Sequence, residues 1–131
     1  MSQENVEIVR RSFDAFNRGD VDAALRAAAP SFEYDFSRSR SPGRGIYRLD
    51  QMSDYFKEFA SLWESLRLGP EEFIDAGEHV VTPFTNRFRG RDGIEVTARA
   101  AFVWTIHAGA IARITFYQER HEALEAAGLA E

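Results

Sequence analysis

The amino-acid sequence predicts an α+β fold in which a curved antiparallel sheet wraps around three N-terminal helices and a short helix ends the chain. Two observations lead to this prediction. Through the first half of the chain, apolar residues recur every three or four positions, which is typical of amphipathic helices. From Arg67 onward, runs of β-branched and aromatic residues alternate with short glycine-containing turns, which is typical of an antiparallel meander. The length of 131 residues suits one domain that spans residues 1–131.

Two helices and a strand are predicted before residue 40. The first helix ends near Gly19, and its apolar face comprises Val6, Val9, Phe13 and Phe16. Asp20 is expected to cap a second helix over 21–29, which Pro30 would end. Residues 32–37 then form the first predicted strand, because aromatic residues alternate with acidic ones there.

A loop and the clearest amphipathic helix follow. Residues 38–48 hold four arginines among glycines and serines, so they are interpreted as a solvated loop, with a gate over an anionic ligand as the alternative. Asp50 is expected to cap the third helix. The apolar face of that helix comprises Met52, Phe56, Phe59, Trp63 and Leu66.

The second half of the chain is predicted to form a four-stranded meander. Its strands are expected over 71–76, 79–89, 94–106 and 110–118. The short turns between them require antiparallel pairing, and the Asp-Gly of the turn at 90–93 is a strong hairpin signal. A short helix over 119–127 ends at Gly128, and the three early helices are expected to cover one face of the sheet.

Composition restricts the classes of partner and cofactor. The formal net charge of −5 argues against nucleic acid as a partner, because phosphate contacts require a concentrated positive field. The absence of cysteine excludes disulfides and thiol chemistry. No apolar run reaches the length of a membrane span or of a signal peptide, so a cytoplasmic protein without membrane contact is expected. The three histidines lack ligand spacing, so neither a metal nor another cofactor is expected.

Three segments carry a resemblance to a known family. They read ENVEIVRRSFDAFNRGDVDAAL at the start, PEEFIDAGEHVV in the middle and IEVTARAAFVWTIHAGAIARITFYQERHEAL near the end. Together with the third helix, they resemble the SnoaL-like branch of the nuclear transport factor 2-like superfamily. The resemblance implies a cystatin-like cone. It does not choose a function, since the superfamily includes polyketide cyclases, ketosteroid isomerases, dehydratases and non-catalytic binding domains.

The resemblance also implies a candidate catalytic residue, Asp35. This residue falls at the position where ketosteroid isomerases carry their general-base aspartate. Burial in an apolar cavity would raise its pKa toward neutrality. The alternative is an ordinary acid paired with an arginine, and strand alternation favours it, because Asp35 and Glu33 share a face opposite Tyr34.

The isomerases' hydrogen-bond donors to the reacting oxygen are missing from this chain. The corresponding positions hold Ser12 and either Ala101 or Phe102, and none of these side chains can replace the donors. Ketosteroid isomerisation by that mechanism is therefore not expected.

A pocket for a small hydrophobic molecule is expected between the third helix and the concave face of the sheet. Its expected lining residues are Tyr34, Phe56, Phe59, Trp63, Arg99, Phe102, Trp104 and Tyr117, and Asn86 is a further source of a polar group. The protein is then either a cofactor-free isomerase, cyclase or lyase, or a non-catalytic binding or dimerisation module. The aromatic face of the third helix is itself more typical of a filled core than of a ligand cage.

A homodimer is also expected from the resemblance, because proteins of this superfamily often pair through the helix-free face of the sheet. Val81, Val103 and Thr105 are the candidate contact residues on the strands.

Overall fold

The computed structural model of the chain describes residues 2–40 and 43–129. Within these ranges the chain forms four helices and seven strands. The helices are α1 (Ser2–Asn17), α2 (Val21–Ala24), α3 (Leu49–Ser61) and α4 (Arg120–Ala126). The strands are β1 (Ala28–Asp35), β2 (Ile46–Arg48), β3 (Ser65–Pro70), β4 (Ile74–Ala76), β5 (His79–Arg89), β6 (Glu95–His107) and β7 (Ala110–Tyr117). The predicted α+β class is confirmed.

The strands form one curved, unclosed sheet in the order β2-β1-β7-β6-β5-β3, and β4 pairs with the start of β5. All pairings are antiparallel except that of β1 with β7, so the sheet is mixed. The parallel pair places Tyr34 beside Ile114 and Asp35 beside Thr115. The sequence did not indicate this pairing, because it joins segments that are distant in the chain.

The long β5–β6 hairpin forms the centre of the sheet, and its register runs from His79 opposite Thr105 to Arg89 opposite Glu95. Pro83 lies inside β5, where a missing N–H would normally break a ladder. It is tolerated because β5 changes partner there: Val81 pairs with β4, and Phe84 pairs with β3.

The predicted second helix is wrong beyond Ala24. Asp20 caps its start as expected, and its carboxylate accepts a hydrogen bond of 3.0 Å from the backbone N–H of Ala23. Residues 25–27 form a turn, and Ala28 and Ala29 already belong to β1, in which Ala28 pairs with Ile111 and Pro30 is exposed. Local helix propensity is overridden here, because β7 offers this segment a ladder of hydrogen bonds.

The predicted third helix is too long, and two strands were missed beside it. Helix α3 begins directly after Arg48, so Asp50 lies inside it and not at its N-cap, and the helix ends at Ser61. Residues 65–70 form β3 at the edge of the sheet. Leu66 therefore pairs with Phe88 and does not extend the helix. The predicted loop over 38–48 contains β2 at its end, and two of its residues, 41 and 42, lie outside the described residues.

The two faces of the sheet carry separate apolar clusters. Helices α1 and α3 pack on the concave face, where the larger cluster includes Val9, Phe13 and Met52. Helix α4 packs on the other face through Ala123 and Leu124. It covers Val81 and Val103, so these two residues are not accessible for the dimer contact that was expected of them. In the described part of the chain, no helix combines the length and apolar character that crossing a bilayer requires.

Candidate functional site

A cavity of about 150 Å³ lies inside the cone, between helices α1 and α3 and the concave face of the sheet. Strand alternation sets which side chains reach it, and β5 contributes Phe84, Asn86 and Phe88. On β6, the neighbouring positions are Ala98 and Ala100, and their methyl groups leave space that larger side chains would fill. Ala98 lines the cavity and is also exposed to solvent, so the cavity opens at this end of the hairpin.

The walls of the cavity are mostly aromatic. Phe13 of α1 approaches Trp104 with a ring-centroid distance of 5.5 Å and Phe102 at 6.1 Å. Phe84 stacks on Phe102 with centroids 4.5 Å apart. These rings hold one another in place, so the cavity is bounded by side chains with little freedom to collapse into it.

Most polar groups at the wall are already hydrogen bonded within the protein. The Ser12 hydroxyl donates to the carbonyl oxygen of Ala24 at 2.8 Å. The indole N–H of Trp104 donates to the Thr82 hydroxyl at 2.9 Å. The Gln118 side-chain oxygen accepts from the backbone N–H of Arg40 at 3.0 Å.

Asn86 is the exception at the wall. Its side-chain oxygen is buried and has no hydrogen-bond partner among residues 2–40 and 43–129. It lies on β5 between Leu68 of β3 and Ala98 of β6, and both of these neighbours also line the cavity.

Two tyrosines supply hydroxyls to the wall, Tyr34 on β1 and Tyr55 on α3. Their ring centroids are 5.5 Å apart, and the two hydroxyls interact. Burial raises the pKa of Tyr34 well above its ordinary value, and burial likewise raises the pKa of Tyr55. Both phenols are therefore neutral near pH 7, and they act there as hydrogen-bonding groups and not as bases.

Asp35 is not at the cavity. It is buried at 5% exposure, but it points to the opposite face of β1 from Tyr34. Its carboxylate accepts hydrogen bonds from the Ser37 hydroxyl and backbone N–H and from the guanidinium of Arg113 at 2.7 Å. Arg38 adds an ion pair at 3.3 Å.

This environment lowers the pKa of Asp35 where the sequence suggested a raised one. Burial of the carboxylate raises the pKa, but the hydrogen bonds from Ser37 and Arg113 favour the charged form and outweigh it. A carboxylate held in this way is a weak base, and it lies across the sheet from the apolar cavity of the cone.

The remaining expected lining residues divide into two groups. The side chains at the cavity wall are Tyr34, Phe56, Phe59, Phe102 and Trp104. Arg99 borders the cavity, but its side chain is 76% exposed and its guanidinium pairs with Glu71 at 2.8 Å on the outer face.

Two further expected residues do not line the cavity. Trp63 stacks on Phe88, with the ring centroids 4.7 Å apart, and so lies behind the wall. Tyr117 packs in the outer cluster, with the Arg38 guanidinium 5.0 Å from its ring centre.

Several wall residues were not anticipated from the sequence. They include Phe13, Phe16, Tyr55, Phe84, Phe88 and Phe116. Signals for them exist: Tyr55 lies three residues after Met52 and four before Phe59 on the helix, and Phe84 shares strand parity with Asn86.

Comparison with known proteins identifies the family. A family model described as a SnoaL-like domain matches residues 9–114. The chain belongs to the SnoaL-like domain family. No curated protein sequence matches this SnoaL-like chain.

Solved structures share the cone. An NTF2-like protein of unknown function from Burkholderia pseudomallei K96243 is 26% identical, with a TM-score of 0.79 over 93% of this chain and 95% of that chain. A putative polyketide cyclase from Pseudomonas putida KT2440 is 20% identical, with a TM-score of 0.68 over 87% and 90% of the two chains. A hypothetical protein with a ketosteroid isomerase-like fold from Catenulispora acidiphila DSM 44928, in complex with trimethylamine, is 16% identical, with a TM-score of 0.75 over 94% and 93%. The fold of this SnoaL-like chain is therefore that of the NTF2-like cone.

Proposed function

We propose that this SnoaL-like chain binds a small, neutral, aromatic molecule in the cone cavity. The observation that carries the proposal is the chemistry of the wall. Among the described residues, no carboxylate or lysine lines the cavity, and the one arginine that borders it has its charge paired on the other face. A charged ligand would lose its hydration without gaining a counter-ion, whereas a neutral one avoids this cost.

Size and shape favour an aromatic ligand. The cavity has roughly the volume of an engineered apolar cavity that binds benzene. Its walls present ring faces and edges, including those of Phe84 and Phe102, which suit stacked or edge-to-face contact with another ring. The opening near Ala98 lets a substituent of a larger ligand extend outward.

A second candidate is a cofactor-free isomerase, cyclase or lyase that uses the same cavity. The observation that favours it is the pair of hydroxyls from Tyr34 and Tyr55, which can donate a hydrogen bond to a carbonyl oxygen. No carboxylate among the described wall residues is placed to remove a proton. Ligand binding is therefore the better-supported function. Solved structures that carry enzyme names are 20% identical or less, so their similarity supports the fold alone.

The test compares three single-ring probes of similar size: toluene, benzoate and benzylamine. Titration followed by ¹⁵N–¹H NMR should show toluene shifting the amides around the cavity, with the two charged probes binding about tenfold more weakly or not at all. Equal binding of the charged probes, or no binding of toluene, would overturn the proposal.

Variants localise the binding. Ala100→Leu fills the space opposite Phe84 and should abolish toluene binding while the protein stays folded. Thr97→Leu adds the same side chain at a nearby exposed position and serves as the matched control. If both variants bind toluene as the wild type does, the toluene site is elsewhere.

The expected homodimer stays a prediction. With Val81 and Val103 covered by α4, a contact through the sheet would use the exposed end of the outer face, at Glu95, Thr97 and Arg99. A sedimentation mass of 14.9 kDa at micromolar concentration would rule the dimer out at that concentration.

A further inference from the structure

We infer that the side-chain amide of Asn86 is the specificity-determining contact of the cavity and that the ligand carries a hydroxyl that binds it. The inference rests on the proposed function, since it names a chemical feature of the ligand that the cavity takes. It starts from the side-chain oxygen of Asn86, which is buried and unpartnered within the described ranges.

A second asparagine nearby shows how a side-chain amide with a purely structural role is hydrogen bonded in this protein. Asn17, at the end of α1, donates to the carbonyl oxygen of Leu68 at 2.7 Å and accepts from the backbone N–H of Leu68 at 3.0 Å. Both halves of that amide are satisfied, and they join α1 to β3. Asn86 pairs with the same Leu68 across the β3–β5 ladder, but its side chain turns into the cavity and makes no such contact.

An unsatisfied buried amide is costly to a folded protein, and leucine would fill the same space without that cost. Every other polar wall group described above has a partner inside the protein, including Ser12, Trp104 and Gln118. Because these groups have partners inside the protein and the Asn86 oxygen does not, we expect its hydrogen-bond partner to be supplied by the ligand.

The neighbours of Asn86 restrict what that partner is. Leu68 and Ala98 flank it across the two ladders, and Phe84 and Phe88 precede and follow it on the same face of β5. All four of these neighbours are apolar, so no polar or charged side chain stands directly beside the amide on these strands. A hydroxyl matches it, because its O–H can donate to the unpartnered amide oxygen and it brings no charge into the cavity. The ligand class is thus a hydroxylated aromatic molecule of the phenol type.

The experiment compares phenol with toluene, which have nearly the same shape and differ in a hydroxyl against a methyl group. Dissociation constants for both probes are measured by NMR titration on the wild type and on Asn86→Leu. The ratio of the phenol constant to the toluene constant should rise about tenfold in Asn86→Leu, because phenol loses its partner and toluene does not. Thr85→Val, on the adjacent outward-facing position, should leave the ratio unchanged.

A second measurement does not depend on any variant. In the wild type, phenol should shift the side-chain amide resonances of Asn86 strongly, whereas saturating toluene should shift them little. A similar shift with both probes, or an unchanged ratio in Asn86→Leu, would overturn the inference while leaving the cavity as an aromatic site. Failure of phenol alone to bind the wild type would also overturn the inference, whereas failure of toluene to bind would instead overturn the proposed function on which the inference rests.

Discussion

Adjacent residues of β1 show how differently the two faces of the sheet are built. Tyr34 points into the cone, where it packs against Phe36, Tyr55 and Phe102. Asp35 points outward, where it is held by Arg113 and Ser37. The inner face thus carries aromatic rings and uncharged polar groups, whereas the outer face at this end carries ion pairs.

The difference teaches that alignment alone does not decide whether an acid is catalytic. Asp35 occupies the position in the chain that suggested a general base, but strand alternation directs its carboxylate to the face that α1 and α3 leave uncovered. Arg113 also pairs with Glu33, so the same arginine joins both acids of β1 to β7. The carboxylates of this strand stabilise its parallel pairing with β7, and Tyr34, which lies between them, lines the cavity.

The largest effect is expected from removing an inner-face ring. Phe84→Ala should lower the free energy of unfolding by about 3–5 kcal/mol, because Phe84 is 1% exposed and touches several other rings. Thr85→Ala, one residue along on the outer face, should have a much smaller effect. Urea denaturation of both variants measures the contrast, and equal losses would show that the two faces contribute alike.

A smaller effect is expected from removing the arginine that joins β1 to β7. Arg113→Met should cost about 2 kcal/mol, since it leaves the Asp35 carboxylate without its main charged partner. Arg99→Met removes an exposed ion pair on the same face and should leave stability nearly unchanged. Denaturation midpoints for the two variants provide the measurement, and a loss in Arg99→Met as large as that in Arg113→Met would contradict the distinction.

The third prediction concerns the pH dependence of stability. The pKa of Asp35 is lowered in the folded protein, so its contribution is complete above the ordinary carboxyl value of 3.8 and is lost as the pH falls through that value toward the folded pKa. Asp35→Asn should therefore be less stable than the wild type at pH 7 and should lose less stability on acidification. Circular dichroism melts from pH 7 to pH 3 test this, and parallel curves for the two proteins would mean that Asp35 titrates alike in both states.

No effect at all is expected on proton abstraction from a carbonyl compound. With no carboxylate at the described wall, the protein should not accelerate α-proton exchange of 2-tetralone in D₂O, followed by ¹H NMR. Acceleration that disappears in Asp35→Asn but persists in Ser37→Ala would show that Asp35 acts as a base, and chemistry would then not be confined to the inner face.

Local patterns in the sequence were enough for the elements with strong periodicity. The bounds of β5 agree with the prediction, and those of β6 and β7 agree within one residue, because their turns carry glycines and their strands alternate cleanly. Strand β3 was missed because Leu66 continued the helical spacing of α3 by chance. The start of β1 was missed because its partner, β7, is remote in the chain and no local signal reports it.

The site was predictable to a lesser degree. Five of the eight expected lining side chains reach the cavity, since aromatic residues on α3 and on the inward positions of β1 and β6 follow from periodicity. Arg99 and Tyr117 were misplaced because the parity of those strands was not fixed from the sequence. The unpartnered state of Asn86 was not predictable, because it depends on what surrounds the side chain in space.

The parallel pairing of β1 with β7 has a consequence for how the chain is made. Arg113 and Glu33 are 80 residues apart, so a nascent chain emerging from the ribosome exposes β1 long before its sheet partner is synthesised. During that interval the side chains of Phe32 and Tyr34 lack the packing contacts of the finished sheet. We expect chaperones that recognise apolar extended segments to bind this part of the chain. Completion of the cone therefore has to wait until β7 has been made, although α1 and α2 can form as soon as they are made.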